Sequence, residues 1–344
     1  MRSGRGPVFI LAFVACGLAA ALRVAPAAAA QQVTQMVATV GNNLFHGPTF
    51  VGVEKGIYLK HGIDLKLKVI STGPESAKAL QAGEAQFAPQ SMSPWIVSVE
   101  RGWPGMAVVI GHGSGTAANF DEPIALVARK ESGIQKVTDL AGKKLGFAPG
   151  SAADFWARVL LKHHQVPADR VTILNTRIPD SLPALRSGSL DAVAIWEPYV
   201  TMLLEKVPGA VLVTRGGGLI GQINIIAAHK DLIQRDPDLV FRFVLAQSEA
   251  AQYARQRPGE TAEMATRWVP GLEVGIATRA IPHMAYDTRI TRHTFQAYDE
   301  TMKDLLEQKK LRGPVPRDTA FDTRFIERVM REHPQLFADL PPAR

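Results

Sequence analysis

Short apolar runs alternate with amphipathic segments along most of the 344-residue chain. Apolar runs of four to eight residues bounded by turn residues are typical of strands, whereas apolar positions recurring every three or four residues indicate helices. The runs predict strands over 36–40, 64–70, 85–89, 106–110, 123–128, 144–148, 171–174, 192–195, 210–214 and 223–228. Helices are predicted over 48–60, 74–82, 94–100, 151–163, 181–186, 240–253 and 318–331. This alternation favours open α/β sheets with helices on both faces.

One segment of the chain is written twice. Residues 74–86 read PESAKALQAGEAQ and residues 179–191 read PDSLPALRSGSLD, with Pro, an acid, Ser, Ala, Leu and Gly in matching places. The two copies lie too far apart for a solenoid repeat. We therefore expect two similar α/β lobes, and a cleft between lobes is a usual place for a small ligand.

The N-terminus has the pattern of a secretory signal peptide over residues 1–30. Arg2 and Arg5 precede an apolar run over 8–22, and small residues over 25–30 predict cleavage after Ala29 or Ala30. The apolar run is shorter than the ~20 residues that a spanning helix needs. Cys16 is the only cysteine, and lipid anchoring there is the less favoured alternative.

Charge and motifs argue against several function classes. The net charge of +7 falls to +4 once Arg2, Arg5 and Arg23 are removed (7 − 3 = 4), and the other basic residues lie among acids. No basic stripe with interleaved aromatics predicts nucleic-acid binding. We find no motif for a catalytic nucleophile, a phosphate loop, a metal site or a cofactor.

The strand-end rule selects the candidate binding loops. Ligands of open α/β sheets lie beyond the carboxyl ends of the strands, which here means residues 46–49, 90–95, 149–152, 196–199 and 217–224. Several of these loops open helices, whose free N–H groups attract small anions. The predicted ligand-binding residues are His46, Thr49, Gln90, Ser91, Ser93, Gly150, Ser151, Ala152, Trp196, Glu197, Tyr199 and Asn224.

Most of these residues also have a purely structural interpretation. Ser151 with Asp154 forms a possible capping box, and Ser93 is predicted to cap the helix over 94–100. Trp95 suits either the core or the ligand.

The sequence leaves two roles open for Glu197. It suits a ligand amine or a backbone donor, and Arg177 and His112 are its possible charge partners.

An ordered set of short motifs resembles a known family over residues 35–330. The motifs are VEKGIYLKHGID at 53–64, Ala79-Leu80 with Gly83, DLAGKK at 139–144, PGSA at 149–152, ALRSG at 184–188, Asp191-Ala192 and WEPY at 196–199. Together they resemble periplasmic solute-binding proteins of ABC transporters, of the nitrate, sulfonate, taurine and thiamine-precursor type. One departure is Gln86, where the second copy has Asp191 and an acid is common; we expect it to affect a turn rather than the ligand.

The resemblance implies a fold and a domain division. The implied fold is the type II periplasmic binding protein, a Venus-flytrap of two Rossmann-like α/β lobes joined by a two-strand hinge. Residues 31–122 and 223–344 would form lobe 1, and residues 123–222 would form lobe 2.

The resemblance also implies a function. The expected protein is a periplasmic, monomeric and non-catalytic solute-binding component that delivers a small polar or anionic organic solute, such as a sulfonate, taurine or nitrate, to an ABC permease and ATPase. A heteroaromatic ligand such as a thiamine-precursor pyrimidine, or a sensory role, are alternatives. A pyrimidine-synthase-like enzyme is a lesser alternative. Such relatives are expected to be cytosolic and to carry a cysteine-rich catalytic segment, whereas this chain has a predicted signal peptide and no cysteine after it.

Overall fold

The structure, a computed structural model, describes residues 1, 4, 6, 33–70 and 72–343. The apolar run and the cleavage region of the predicted signal peptide, with Cys16, lie outside the described residues. Residues 33–344 form one compact unit, which contains both sheets described below.

The first sheet has the strand order β2-β1-β3-β10-β4. Its strands are β1 (Thr34–Gly41), β2 (Ile63–Ile70), β3 (Phe87–Ser91), β4 (Gly105–His112) and β10 (Asn224–His229). β1 runs parallel to β2 and β3, whereas β10 is antiparallel to β3 and β4.

The second sheet repeats this arrangement with the order β7-β6-β8-β5-β9. Its strands are β5 (Ile124–Ala128), β6 (Lys144–Phe147), β7 (Thr172–Asn175), β8 (Ala192–Trp196) and β9 (Val211–Arg215). β6 is parallel to β7 and β8, and β5 is antiparallel to β8 and β9. The predicted α/β fold with two matching sheets is thereby confirmed. We use "lobe" for the part of the chain built on each sheet, and the division after residues 122 and 222 stays a prediction.

Helices cover the faces of both sheets. They are α1 (Gly47–Glu54), α2 (Ile57–Lys60), α3 (Gly73–Gln81), α4 (Met92–Glu100), α5 (Ala152–His163), α6 (Ser181–Ser187), α7 (Tyr199–Lys206), α8 (Lys230–Arg235), α9 (Pro237–Gln256), α10 (Pro258–Ala265), α11 (Val274–Ala280), α12 (Arg292–Glu307), α13 (Arg317–Ala320) and α14 (Arg324–Glu332). The longest, α9, presents Phe243 to the first sheet, where its ring stacks on Phe87 of β3. Buried apolar residues form a cluster that includes members of both sheets.

Two predicted helices are each divided in two. The helix expected over 48–60 breaks at Gly56, whose φ of 65° is the left-handed conformation that glycine adopts without steric cost. The helix expected over 318–331 breaks at Phe321, which forms a bridge with Ala107 of β4, and the Asp322 N–H donates to the Ala107 carbonyl at 2.9 Å.

Ser93 does not cap a helix as predicted. α4 begins at Met92 and its N-cap is Ser91, so Ser93 lies inside the first turn. Pro94 follows in the same turn, where a missing N–H leaves no intrahelical bond unmade. The proline therefore did not mark the first helical residue.

Trp95 belongs to the core. Its side chain is fully buried, and its ring meets Phe321 edge-on at 4.8 Å and lies 5.7 Å from Tyr298. Aromatic pairs at such distances add packing energy to the area they bury.

Candidate functional site: a polar cavity between two sheets

A cavity of ≈ 50 Å³ lies where the carboxyl ends of strands from both sheets face each other. Its lining from the first lobe is Gly41, Asn43, Phe45, His46, Ile70, Thr72, Gly73, Pro89, Gln90, Ser91, Pro94 and Asn224, and from the second lobe Ser151, Ala152 and Trp196. The lining includes these predicted site residues: His46, Gln90, Ser91, Ser151, Ala152, Trp196 and Asn224. By this measure one water needs about 10–15 Å³, so the cavity suits a compact polar group.

The first sheet positions its lining through consecutive strand ends. Gly41 ends β1, and a Cβ atom there would lie 2.7 Å from Nδ2 of the Asn43 side chain, so a larger residue would displace that side chain from its place in the wall. Gln90 and Ser91 end β3, and Asn224 begins the antiparallel β10 beside them, paired with Ser91. Parallel and antiparallel strands therefore bring side chains to the same edge.

The second sheet contributes the start of α5 and the end of β8. The Ser151 hydroxyl accepts the Asp154 N–H at 3.3 Å and donates to the Ala148 carbonyl at 2.7 Å, while Asp154 accepts the Gly150 N–H at 2.8 Å. Ser151 thus caps α5 as predicted and also lines the cavity. The reciprocal half of the predicted capping box does not form, because Asp154 accepts the Gly150 N–H instead of the Ser151 N–H.

Three buried polar atoms in the cavity wall have no hydrogen-bond partner within the described part of the chain. They are Gln90 Nε2, Trp196 Nε1 and Asn224 Oδ1. The side chains belong to residues only 1%, 6% and 4% exposed. Leaving such a group without a partner costs about 1–3 kcal/mol. A bound solute with acceptors for both N–H groups would remove this cost from donors that come from different sheets.

Among the described residues of the cavity wall, none carries an ionised side chain at neutral pH. The one titratable residue among them is His46, and burial lowers the pKa of that imidazole from its usual 6.5 to about 3. Behind Phe45, the stacked His112 ring also has its pKa lowered to about 3, by burial and then by the charge of His46. Attraction for an anion must come from neutral donors and from the starts of α1, α3, α4 and α5, each of which has a residue in the wall.

Several predicted site residues lie outside this cavity. Thr49 donates to Gln247 Oε1 in the core at 3.1 Å. Ser93 and Gly150 line an adjoining, larger cavity of ≈ 510 Å³, which shares Pro94 and Ser151 with the first. Tyr199 donates its hydroxyl to the Asn42 carbonyl at 2.7 Å and so connects the two lobes.

Glu197 is fully buried in an ion pair. Its partner is Arg215 at 2.7 Å, and its other oxygen accepts the Thr201 N–H at 3.1 Å. The predicted partners Arg177 and His112 were wrong: Arg177 lies 3.9 Å from Asp180, and His112 Nδ1 accepts the Ala285 N–H. β5 separates β8 from β9 in the sheet, and this non-local arrangement brings Arg215 to Glu197.

Part of the wall lies outside the loops selected from the sequence: Gly41, Asn43, Phe45, Ile70, Thr72, Gly73 and Pro89. Thr72 and Gly73 carried a usable signal, because they open α3 directly after β2, in the manner of the loops that were selected.

Within 33–70 and 72–343, His, Cys, Asp and Glu form no cluster of three or more suited to a metal ion. No helix over the same residues has the length and apolar character to cross a membrane.

Two curated relatives cover most of the chain. A protein of Bacillus subtilis (strain 168), provisionally named an aliphatic sulfonates-binding protein, is 24% identical over 291 residues, which is 83% of this chain and 86% of the relative. The 4-amino-5-hydroxymethyl-2-methylpyrimidine phosphate synthase of Legionella pneumophila is 23% identical over 261 residues, 70% of this chain and 76% of the relative.

Solved structures share the fold. The alkanesulfonate-binding protein SsuA from Xanthomonas axonopodis pv. citri, bound to MOPS, matches with a TM-score of 0.73 at 17% identity, over 85% of this chain and 99% of that one. The periplasmic nitrate-binding protein NrtA from Synechocystis PCC 6803 matches with a TM-score of 0.72 at 12% identity, over 90% of each chain. Both support the type II periplasmic binding fold.

The family assignment rests on a longer sequence match. The family described as NMT1/THI5 like matches residues 43–261, which is more than half of the chain. The matched stretch contains the strands β2 to β10 and all the cavity residues except Gly41. This chain belongs to the NMT1/THI5-like family.

Proposed function

We propose that this protein is the extracytoplasmic solute-binding component of an ABC importer. In this proposal it holds a small polar or anionic organic solute, of the sulfonate, taurine or nitrate kind, in the cavity between its two sheets. The family and the names of its relatives and structural neighbours support the general class. The choice of solute rests on the cavity.

The observation that carries the proposal is the pair of unpartnered donors, Trp196 Nε1 and Gln90 Nε2. One belongs to each lobe, so a solute that accepts from both gains binding energy only when the lobes are together. A ligand shifts a conformational equilibrium by its difference in affinity for the two states. A sulfonate or nitrate group has several acceptor oxygens and no donor, which fits these N–H groups.

Asn224 Oδ1 adds an acceptor to the same wall. An amino group on the solute would supply the matching donor, as the ammonium group of taurine does. This atom therefore favours an aminosulfonate over a plain sulfonate of similar size.

The proposed partners are a membrane permease and its ATPase, and we propose a periplasmic monomer. The names of the structural neighbours support the location and the role. A sensory role uses the same binding step, and uptake of labelled solute by cells with and without this protein separates the two.

A pyrimidine ligand or a pyrimidine-forming reaction is the second candidate, favoured by the Legionella relative. Phe45 and Trp196 are aromatic members of the cavity wall that suit a flat ring. His46 opposes acid–base catalysis at neutral pH, because a group with a pKa of about 3 is a weak base there.

The test is calorimetry with taurine, ethanesulfonate, nitrate and a hydroxymethylpyrimidine. Trp196→Phe keeps the aromatic ring and removes the N–H donor, so we expect the affinity for the bound anion to fall about 10-fold, or about 1.4 kcal/mol.

Trp268→Phe is the matched control. The Trp268 N–H donates to Glu54 at 3.1 Å, away from the cavity, so this change should leave binding intact. Failure of every anion to bind, or equal binding by the Trp196→Phe protein, contradicts the proposal; binding of the pyrimidine alone supports the second candidate.

A further inference from the structure

A second, apolar pocket of ≈ 310 Å³ lies at the seam between the two lobes. Its lining is Asn42, Ile178, Pro179, Ser181, Leu182, Pro183, Ile195, Tyr199, Met202, Leu203 and Pro270. Asn42 and Pro270 come from the first lobe and the others from the second. The pocket has no lining residue in common with the polar cavity.

Adjacent residues of the chain line the two spaces. Asn42 lies between the cavity residues Gly41 and Asn43, and Ile195 is the neighbour of Trp196. The Tyr199 hydroxyl donates to the Asn42 carbonyl at 2.7 Å and so joins the two lobes beside the pocket. Burial raises the pKa of Tyr199 to about 12, so the hydroxyl keeps its proton for this bond at neutral pH.

The chemistry of the pocket differs from that of the polar cavity. Its wall is mainly aliphatic, and no Lys, Arg, Asp, Glu or His belongs to it. One buried acceptor, Asn42 Oδ1, has no partner among the described residues. An ion would lose its hydration there without gaining a charged partner, so its binding would be unfavourable. An uncharged molecule with one donor would bury its apolar body and donate a hydrogen bond to the amide oxygen.

We propose that this pocket is a second binding site, for a small uncharged molecule with an apolar body and a single hydrogen-bond donor, such as a phenol. Residues from both lobes form it, so an occupant favours the arrangement in which they are together. If the proposed solute-binding function is correct, occupancy of the two sites is reciprocally coupled, and each ligand strengthens the binding of the other.

The primary test uses p-cresol as the probe, titrated into the protein without any cleft solute and followed by ligand-observed NMR. Leu182→Trp fills the pocket and should weaken p-cresol binding at least about 10-fold. Leu212→Trp places the same side chain at an exposed position of β9 in the same lobe, 42% exposed, and should leave binding within about 2-fold.

A second variant, Asn42→Ala, and a second probe, 4-methylanisole, keep the test independent of any packing defect in Leu182→Trp. 4-Methylanisole has the shape of p-cresol without a donor, and should bind the unmodified protein about 5-fold less tightly. Asn42→Ala removes the acceptor and should abolish that preference.

Several results would overturn the second site. They are absence of p-cresol binding, equal binding by Leu182→Trp, an unchanged preference in Asn42→Ala, or displacement of p-cresol by taurine or nitrate. Because the titration needs no cleft solute, failure of the anion panel leaves its result interpretable.

Discussion

The two lobes contain copies of one segment in the same structural place, and the copies serve different pockets. Both copies end on a side chain that accepts a backbone N–H from the equivalent strand of their own sheet, each at 2.9 Å: Gln86 from Val37 of β1, and Asp191 from Lys144 of β6. Gln86 does not line the polar cavity, and the expectation that it affects a turn stays a prediction. The start of the first copy's helix lines the polar cavity, whereas the start of the second lines the apolar pocket.

The residues that follow each copy differ as well. In the same register, Met92 after β3 matches Glu197 after β8, and both are buried, at 2% and 0% exposure. The first lobe fills this place with a thioether and the second with a carboxylate that needs Arg215. The two lobes share a backbone arrangement, but single side chains decide the chemistry of each. They also decide how much stability a lobe loses when one partner of a buried pair is removed.

The largest expected effect removes the ion partner that only the second lobe has. Arg215→Ala leaves the Glu197 carboxylate buried and unpaired, so we expect the free energy of unfolding to fall by about 3–5 kcal/mol in a urea titration. The double variant Glu197→Met, Arg215→Met imitates the first lobe and should recover most of that loss. A loss under about 1 kcal/mol for Arg215→Ala would mean that the two positions are energetically alike.

The second-largest expected effect is a loss of stability in acid, caused by two histidines of the first lobe. His46 precedes α1 where Ser151 precedes α5, and burial lowers the pKa values of both His46 and His112 from 6.5 to about 3. Their unfolded forms bind protons first, so this stability is fully present above pH 6.5 and is lost as pH falls toward 3. At pH 5 the loss is about 2 kcal/mol for each histidine.

The measurement is urea unfolding at pH 7 and pH 5. His46→Gln should lose its share of the pH dependence, whereas His164→Gln, at an exposed position, should keep the full dependence. An identical pH response in both variants would contradict the role given to His46.

The smallest effect compares the ends of the repeated segment. Asp191→Ala removes a charged acceptor that also lies 3.6 Å from Arg129, and should cost about 2 kcal/mol. Gln86→Ala removes a neutral acceptor and should cost about 1 kcal/mol. Thermal unfolding of both proteins, with Asp191→Asn as the variant that keeps an acceptor, checks the order; a larger cost at Gln86 would reverse it.

Much of the fold was predictable because its signals are local. Strand periodicity and the repeated segment predicted both sheets, and the strand-end rule then led to His46, Gln90 and Trp196. Residues at neighbouring strand ends reach the same cavity, so the rule can select cavity-lining residues without an identified ligand.

The failures arose where distant parts of the chain decide the outcome. The partner of Glu197 depends on β9 lying beside β5, and the break before α14 depends on Phe321 meeting β4. Phe45 reaches the cavity because it stacks on His112 of β4 at 4.8 Å. No window of sequence contains these contacts, since each joins residues far apart along the chain.

The position of β10 also determines the order in which the sheets can be completed during synthesis. All strands of the second sheet lie within residues 124–215, but the first sheet lacks a strand between β3 and β4 until residue 229 has emerged. The half that is translated first is therefore the last to close, and until then it exposes two unpaired strand edges, which are templates for aggregation. A chain that begins to fold early would depend on chaperones most during the interval between residues 112 and 229.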